Sequence, residues 1–258
     1  MSEIINMSVL PNFVIAIPAR YGATRLPGKP LCLLDGEPLI RHVARRALTF
    51  GAQAVWVATD DHRIAAAVAD LPGLQVAMTS SHHRSGTDRI GECAQIAGWN
   101  EQTCVINVQG DEPFVPALAI HQLAHCLHSS SAPMATLAAR METMQDVFNA
   151  NIVKLVCNQQ GDVMYFSRAP IPWQRALFPQ ALEQASAQHW LRHIGVYAYR
   201  VGFLLEILRL APSALEDAES LEQLRVLEAG HRIAATLTTA FFRPGIDTAA
   251  DLAAAQTQ

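Results

Sequence analysis

Phe13 to Pro18 reads FVIAIP, a short and continuous apolar run that ends at a proline. Such a run is typical of a β-strand that is buried on both faces of a sheet. Three later runs have the same form: Ala54 to Asp60, Leu74 to Thr79 and Cys104 to Asp111. We therefore predict that these four segments are buried strands of one sheet.

Helical patterns lie between these strands. They cover Leu39 to Phe50, His62 to Leu71 and Thr87 to Ala97. Alternation of strand and helix produces right-handed crossovers and a mainly parallel sheet, so the predicted fold is α/β and Rossmann-like. In such a sheet, ligands bind at the carboxyl ends of the strands.

The alternation of strand and helix patterns breaks off at about Val153. Two apolar runs, Val153 to Val156 and Val163 to Phe166, flank NQQGD and predict a hairpin, which the stretch SRAPIPW follows. We interpret residues 150–200 as a smaller α+β lobe inserted into one α/β domain that spans 13–258. Alternation then resumes with Ile194 to Tyr199, a helix from Ser220 to Ala229, a strand from Ile233 to Phe242 and a helix from Thr248 to Ala255.

Composition limits the functional classes. The formal net charge is -4 and the pI is about 6.2, so the overall field would repel nucleic acid. The five cysteines are odd in number and show no CxxC spacing, which argues against a disulfide framework. No basic leader or apolar run of ~18 residues is present, so we expect a cytoplasmic protein without a membrane span. Met7 is an alternative start.

The loop after the first strand, Pro18 to Pro30, reads PARYGATRLPGKP. It holds three cations, Arg20, Arg25 and Lys29, together with two glycines that let backbone N–H groups approach a ligand. Charge-assisted hydrogen bonds to phosphate contribute ~1.5–3 kcal/mol each. For a single cation, a solvated loop is the simpler interpretation. Three cations directly after a buried strand instead predict a triphosphate site.

Two common phosphate motifs are excluded by spacing. A Walker A loop has four residues between its first glycine and the Gly-Lys pair, followed by a hydroxyl residue. Here five residues separate Gly22 from Gly28, and Pro30 follows Lys29. GxGxxG is absent as well, so a dinucleotide-binding fold has little support.

Carboxylates follow the fourth strand in NVQGDEP, where Asp111 and Glu112 lie at a strand end. Magnesium that binds nucleotide phosphates takes only one or two protein carboxylates, and Asp111 is the first candidate. Asp247 of PGIDTAADL is the second, although an acid before a helix is also a normal N-cap. The segment has no DxD motif, which disfavours a GT-A-type glycosyltransferase.

Histidines offer an alternative metal site. His121, His125 and His128 recur at helical spacing, but no acid or cysteine completes the set and the surrounding pattern indicates an ordinary surface helix. His82 and His83 are adjacent, so their side chains diverge, and we interpret them as loop residues.

Several segments together resemble the 3-deoxy-manno-octulosonate cytidylyltransferase family, also called CMP-Kdo synthetases. The resemblance runs from about Phe13 to Leu252 through IPARYGATRLPGKPL, VATDD, SGTDRI, VINVQGDEPF, YFSRAPIPW, LRHIGVYAYR, LEQLRVLEAG and GIDTAADL. The loop motif is shared with CMP-sialic acid synthetases, whereas the block from SRAPIPW to LEQLR is specific.

The resemblance implies a fold of the nucleotide-sugar transferase type whose inserted lobe mediates dimerisation. It also implies an activity: transfer of CMP from CTP to the 2-hydroxyl of 3-deoxy-D-manno-octulosonate (Kdo), with release of pyrophosphate. Magnesium, a cytoplasmic homodimer and a place in lipopolysaccharide biosynthesis are implied with it.

Site residues follow from the same resemblance. The implied catalytic residues are Arg20, Lys29, Asp111 and Asp247, of which the two aspartates would bind magnesium. The implied nucleotide-binding residues are Ala19, Arg20, Arg25, Lys29, Arg89 and Gln109. The implied Kdo-binding residues are Arg168, His193, Tyr197, Glu222 and Gln223. These residue types suit Kdo, because a hydroxyl-rich acid needs cationic donors for its carboxylate and acceptors for its hydroxyls.

Departures from the family pattern are modest. Ala23 stands where serine is common, Arg243-Pro244 precedes Gly245, and Ala249-Ala250 replaces a more usual proline-acid pair. Three alternatives stay open at this stage: activation of 8-amino-Kdo, activation of sialic acid, and a non-catalytic nucleotide-binding module.

Overall fold

The structure is a computed structural model that describes residues 9–22, 26–178, 186–243 and 245–256. Its strands are β1 (Val14–Ala19), β2 (Leu33–Leu34), β3 (Glu37–Pro38), β4 (Ala54–Thr59), β5 (Leu74–Met78), β6 (Cys104–Asn107), β7 (Met134–Arg140), β8 (Lys154–Cys157), β9 (Val163–Ser167), β10 (Leu191–Arg200) and β11 (Ile233–Leu237). Its α-helices are α1 (Leu39–Ala47), α2 (His62–Val68), α3 (Gly86–Ile96), α4 (Ala117–Ser129), α5 (Met144–Phe148), α6 (Val201–Ile207), α7 (Ala214–Glu219), α8 (Leu224–Glu228) and α9 (Ala249–Ala255). Single 3-10 turns cover Lys29–Leu31 and Ala187–His189.

One large sheet organises the described part of the chain, in the order β11-β7-β10-β6-β1-β4-β5. β4, β1, β6 and β5 run parallel to one another, and β11 is parallel to β7. β10 is antiparallel to both β6 and β7, so β7 and β11 run in the same direction as β6. The predicted α/β fold with a mainly parallel sheet is confirmed, and β10 is the strand of this path that runs against the others.

Both faces of β1 are buried, as its sequence predicts, whereas the same prediction is wrong for the edge strand β5, in which only Ala77 is buried. Ile15 and Ile17 are in the hydrophobic core beneath α1, α2 and α4. Val14 and Ala16 are in a second core on the other face, beneath α3 and α6. Full burial of one large aliphatic side chain contributes about 1.5–3 kcal/mol, which explains why this strand tolerates no polar side chain.

Several element ends differ from their predicted positions. The fourth predicted strand stops at Asn107 rather than Asp111, so residues 108–111 form a loop. The predicted helix from Ser220 is wrong at its start, because Ser220 has φ 52° and ends α7 in a left-handed turn before α8 begins at Leu224. β11 stops at Leu237, well before the predicted Phe242.

The predicted hairpin is present as β8 and β9, which pair antiparallel. β8 also pairs with β10, so the hairpin continues the large sheet. Beside it lies a small aromatic core in which the rings of Phe178 and Trp190 stack at 5.2 Å with an interplanar angle of 3°. The division into a domain and an inserted lobe stays a prediction.

Helix α4 presents its apolar face to the sheet, with Ile120, Leu123 and Leu127 buried. His125 of this helix is also buried, and the ring of His121 bonds the carbonyl oxygen of Phe50 at 2.9 Å. The helix is therefore partly a core element rather than an ordinary surface helix. Across the described ranges, no helix is both long and apolar enough to span a membrane.

Candidate active site

The centre of the sheet creates a crevice at the carboxyl ends of its strands. From β1 the chain moves outwards to β4 and β5, and then returns to β6 on the other side of β1. This reversal is a topological switch point, where open α/β sheets bind their ligands. A cavity of about 270 Å³, called the first cavity below, lies there. It is lined by Pro18, Ala19, Arg20, Leu26, Lys29, Pro30, Arg84, Ser85, Gly86, Arg89, Gln109, Gly110, Asp111 and Asp247.

Glycine sets how closely the loops around the first cavity approach each other. A Cβ atom on Gly110 would lie 2.9 Å from the carbonyl oxygen of Pro18, which is closer than real Cβ atoms come to backbone. Gly28 has φ 68°, and its N–H donates to the carbonyl oxygen of Tyr21 at 3.1 Å. That turn brings Lys29 back to the end of β1.

Lys29 joins the two predicted magnesium ligands. Its Nζ donates to Asp247 Oδ1 at 3.0 Å and also to Asp111 Oδ2. Burial lowers the pKa of Lys29, but the hydrogen bonds and charges of the two aspartates outweigh it, so the net shift is upwards. Lys29 is thus a firmly held cation at the base of the first cavity.

Arg20 and Arg89 lie in the same cavity with opposite environments. Arg89 is buried and donates to Asp60 Oδ2 at 2.9 Å and to Thr79 Oγ1 at 2.5 Å. Arg20 is exposed, and its side chain has no hydrogen bond or ion pair with any part of the chain that the structure describes. The charge of Arg89 is therefore compensated inside the protein, whereas that of Arg20 is available to a ligand.

The other predicted nucleotide-binding residues divide as follows. Ala19 and Gln109 line the first cavity, and Gln109 Nε2 donates to Asn107 Oδ1 at 3.1 Å. Arg25 lies outside the described residues, as does the departure at Ala23.

Glu112 lies directly behind the metal-ligand candidates. Burial raises the pKa of Glu112 to about 7, and the nearby charges of Asp111 and Asp247 act in the same direction. A Cβ atom on Gly245 would lie 3.4 Å from a carboxylate oxygen of Glu112, so this side chain packs against the turn before Asp247.

The two aspartates suit a cation that is shared with a ligand. The described residues contain no group of three or more His, Cys, Asp or Glu side chains that could hold a metal alone. A divalent cation bound to nucleotide phosphates needs only one or two protein carboxylates and keeps waters otherwise. Asp111 and Asp247, brought together by Lys29, match that smaller requirement.

A second cavity of about 100 Å³ adjoins the first, since Gly86 and Gln109 line both. Its lining includes three predicted Kdo-binding residues, Tyr197, Glu222 and Gln223. Tyr197 of β10 lies opposite Asn107 of β6, so the antiparallel strand brings its ring to the switch point. The remaining lining residues are Thr87, Asn107, Met134, Tyr199, Ile207 and Val226.

The titrating groups of the second cavity are shifted towards their neutral forms. Burial raises the pKa of Tyr197 well above its ordinary value. Solvent reaches Glu222, yet partial desolvation still raises its pKa. His193, another predicted Kdo-binding residue, lines neither cavity. Its ring lies 5.4 Å from that of Tyr197 and contacts Thr136 Oγ1 at 3.0 Å, and burial lowers the pKa of His193 to about 3.

Arg168, the fifth predicted Kdo-binding residue, lies outside both cavities. Its side chain donates to the carbonyl oxygens of Glu219 at 2.6 Å, Ala150 at 2.9 Å and Ser220 at 3.3 Å. Its backbone N–H and the Ser167 hydroxyl both donate to the Glu219 carboxylate. Arg168 therefore fixes the turn that precedes Glu222 and Gln223.

Sequence reasoning missed part of the first cavity, namely Arg84, Ser85 and Gly86 at the start of α3. The signal was present in SGTD, because Ser85 and Asp88 form a capping box at the N-terminus of that helix. A capping box that follows a strand at the carboxyl edge of the sheet indicates backbone N–H groups close to a ligand site.

Comparisons with known proteins identify the family of the chain. A family model described as cytidylyltransferase matches residues 14–233. A protein of Xylella fastidiosa (strain M23), named 3-deoxy-manno-octulosonate cytidylyltransferase, is 59% identical over 251 residues, which is 97% of each chain. A protein of Xanthomonas oryzae pv. oryzae with the same name is 59% identical over 246 residues, which is 95% of each chain.

A solved structure gives the same result in three dimensions. It is described as CMP:2-keto-3-deoxy-manno-octonic acid synthetase complexed with CTP, and it is 40% identical with a TM-score of 0.84. The alignment covers 96% of this chain and 98% of that one. The family resemblance found in the sequence is therefore confirmed, and this chain belongs to the cytidylyltransferase family.

Proposed function

We propose that the chain transfers CMP from CTP to the 2-hydroxyl of Kdo and releases pyrophosphate. The observation that carries the proposal is the pair of joined cavities at the switch point. One presents cations and two carboxylates, which suits a nucleoside triphosphate. The other presents a phenol, an amide and a carboxylate, which suits a hydroxylated sugar acid. The names of the relatives favour Kdo over sialic acid or a non-catalytic module.

The reaction needs no covalent enzyme intermediate. The 2-hydroxyl oxygen bonds to the α-phosphorus while the bond from that phosphorus to the pyrophosphate oxygen breaks, and the hydroxyl proton leaves to solvent. Binding the two substrates in adjoining cavities places nucleophile and phosphorus together, which supplies much of the rate by proximity. Arg20 and Lys29 stabilise the negative charge that grows on the departing pyrophosphate.

The remaining site residues bind and orient. Gln109 and the backbone at Ala19 would contact the cytidine part, with Arg89 keeping that wall rigid through Asp60. Tyr197, Glu222, Gln223 and His193 would meet the sugar acid. Arg168 would act on the acid through the turn that it fixes. Arg25, in the loop from Pro18 to Pro30, would add a further cation to the triphosphate site.

Magnesium is proposed as the cofactor, held by Asp111 and Asp247 together with the triphosphate. When bound, it neutralises phosphate charge and acidifies a hydroxyl that contacts it. Near-normal turnover of Asp247→Asn at saturating magnesium would contradict the role of Asp247.

We further propose a cytoplasmic homodimer, assembled through residues 150–200, that supplies CMP-Kdo to lipopolysaccharide biosynthesis.

One experiment tests the function. Pyrophosphate release is followed with CTP, ATP, GTP and UTP, each against Kdo, 8-amino-Kdo and N-acetylneuraminate. We expect release with CTP and Kdo and at least tenfold less with the other pairs, because the second cavity must match the acid. Absence of release from CTP with all three acids would overturn the proposal.

A further inference from the structure

Arg84 has no assigned role, yet it lines the first cavity from the side of α3. Its backbone is held firmly. The N–H groups of Arg84 and Ser85 both donate to Asp88 Oδ2, at 3.2 and 3.0 Å, and the Asp88 N–H donates back to Ser85 Oγ at 3.1 Å. The capping box therefore fixes the position from which the Arg84 side chain starts.

The other end of this loop is anchored as well. One carboxylate oxygen of Glu92 accepts the N–H of Ser80 at 2.8 Å and bonds the ring of His83 at 2.5 Å. Glu92 lies nearly two helical turns into α3, so the loop is tied to the helix before and after Arg84. His83 is thus an anchored residue, although adjacent histidines in the sequence indicate only a loop.

In contrast to its backbone, the Arg84 side chain is exposed and makes no hydrogen bond or ion pair with the described part of the chain. Lys29 and Arg89, on the same cavity wall, are compensated by carboxylates. Among the described residues of the first cavity, the cations that no carboxylate compensates are therefore Arg20 and Arg84. These two guanidinium groups start from different elements, the end of β1 and the start of α3.

We propose that Arg84 binds a phosphate oxygen of the nucleoside triphosphate, and so acts with Arg20 as a second guanidinium donor. A guanidinium held by a rigid backbone suits phosphate, because its planar fork of N–H donors loses little freedom on binding. The carboxylate of the sugar acid is the less suitable partner, since Arg84 does not line the second cavity. This assignment rests on the proposed binding of CTP in the first cavity.

The test compares CTP with CMP. Binding of each nucleotide to Arg84→Gln, Arg84→Lys and the full-length unchanged protein is measured by titration calorimetry in magnesium chloride. We expect Arg84→Gln to weaken CTP binding about tenfold, as for loss of one partly screened charge-assisted contact, and CMP binding less than twofold. Arg84→Lys should retain part of the CTP affinity. Arg209→Gln removes an exposed arginine outside both cavities and should change neither.

Steady-state kinetics provide the second arm. In Arg84→Gln, the KM for CTP should rise about tenfold and the KM for Kdo should stay within twofold, with an unchanged melting temperature. Equal weakening of CTP and CMP, a raised KM for Kdo, or no change in any of these would overturn the proposal. If the unchanged protein releases no pyrophosphate, the proposed function fails, whereas the CTP and CMP titrations still decide the role of Arg84.

Discussion

The first and second cavities meet at Gly86 and Gln109, but they are built in different ways. The first takes its charged residues from the loops that follow β1 and β6, from the start of α3 and the loop before it, and from Asp247 before α9. The second combines the middle of β10 with the turn between α7 and α8. Strand ends of a parallel sheet thus supply the charged cavity, and an antiparallel strand supplies the other.

The two cavities also differ in the charge of the groups that line them. The first contains cations and carboxylates, which suit a polyanion and its counter-ion. In the second, burial holds Tyr197 in its neutral form, and it does the same for His193, which lies beside Tyr197 outside the cavity lining. Neutral donors and acceptors recognise hydroxyl groups by geometry, and a site built in this way rejects analogues that lack one. Charge therefore favours nucleotide binding, and hydrogen-bond geometry favours selection of the acid.

The largest expected effect is in the first cavity. Arg20→Ala should lower kcat/KM by about 10²-fold or more, because a donor that stabilises developing charge is removed. The free energy of unfolding should change by less than about 0.5 kcal/mol, since Arg20 is exposed. Kinetics and urea unfolding measure the two, with Arg209→Ala as the control. A large stability loss with little kinetic change would mean that Arg20 is structural.

A substitution in the second cavity should weaken binding of the acid without weakening binding of CTP. Glu222→Gln should raise the KM for Kdo about tenfold and leave the KM for CTP within twofold, because the charged acceptor for a sugar hydroxyl is lost. Initial rates with each substrate varied in turn measure this. Glu142→Gln, an exposed site outside both cavities, is the matched control. Equal effects on both substrates would show that the cavities do not act separately.

Acid should destabilise the fold through His193, whose ring packs against that of Tyr197 beside the second cavity. The unfolded chain binds a proton there below about pH 6.5, whereas the folded chain resists it until about pH 3, so stability is lost as pH falls through this window. Between pH 7 and 5.5 the loss is about 1 kcal/mol. His193→Gln should remove this part of the pH dependence in urea unfolding. The exposed His189→Gln should keep it, and identical profiles for both variants would contradict the assignment.

The smallest effects concern the two capping boxes that flank the cavities. Thr248→Ala uncaps α9 beside Asp247, and Ser213→Ala uncaps α7 before the Glu222 turn. Each should lower the free energy of unfolding by about 0.5–1 kcal/mol and the melting temperature by about 2–4 °C.

The two variants should affect the KM of different substrates, although they lower the free energy of unfolding by similar amounts. Thr248→Ala should raise the KM for CTP by a few-fold, and Ser213→Ala the KM for Kdo, because each cap supports a different cavity. The same KM changing in both variants would contradict the comparison.

The sequence predicts the first cavity better than the second, for a physical reason. A strand buried on both faces is a continuous apolar run, so the ends of β1 and β6 and the polar residues after them are visible in a single short window. Lys29 and Asp111 could be paired on that basis. Arg84 could not, because its loop reads as ordinary polar surface until the Asp88 cap and the Glu92 anchor are seen together.

The second cavity depends on contacts between distant segments. The register that sets Tyr197 opposite Asn107 crosses an antiparallel pairing, which no local pattern specifies. The left-handed turn at Ser220 interrupts what the sequence presents as one helix. The resemblance to a family supplied Tyr197, Glu222 and Gln223, whereas composition and spacing alone did not.

Lys29 has a consequence for how the protein responds to chelators. In sites where several acids face one another, the metal is part of the folding equilibrium, and its removal unfolds the chain. Here the ammonium group already neutralises repulsion between Asp111 and Asp247. If magnesium is bound as proposed above, EDTA should stop pyrophosphate release while the thermal unfolding curve stays where it was.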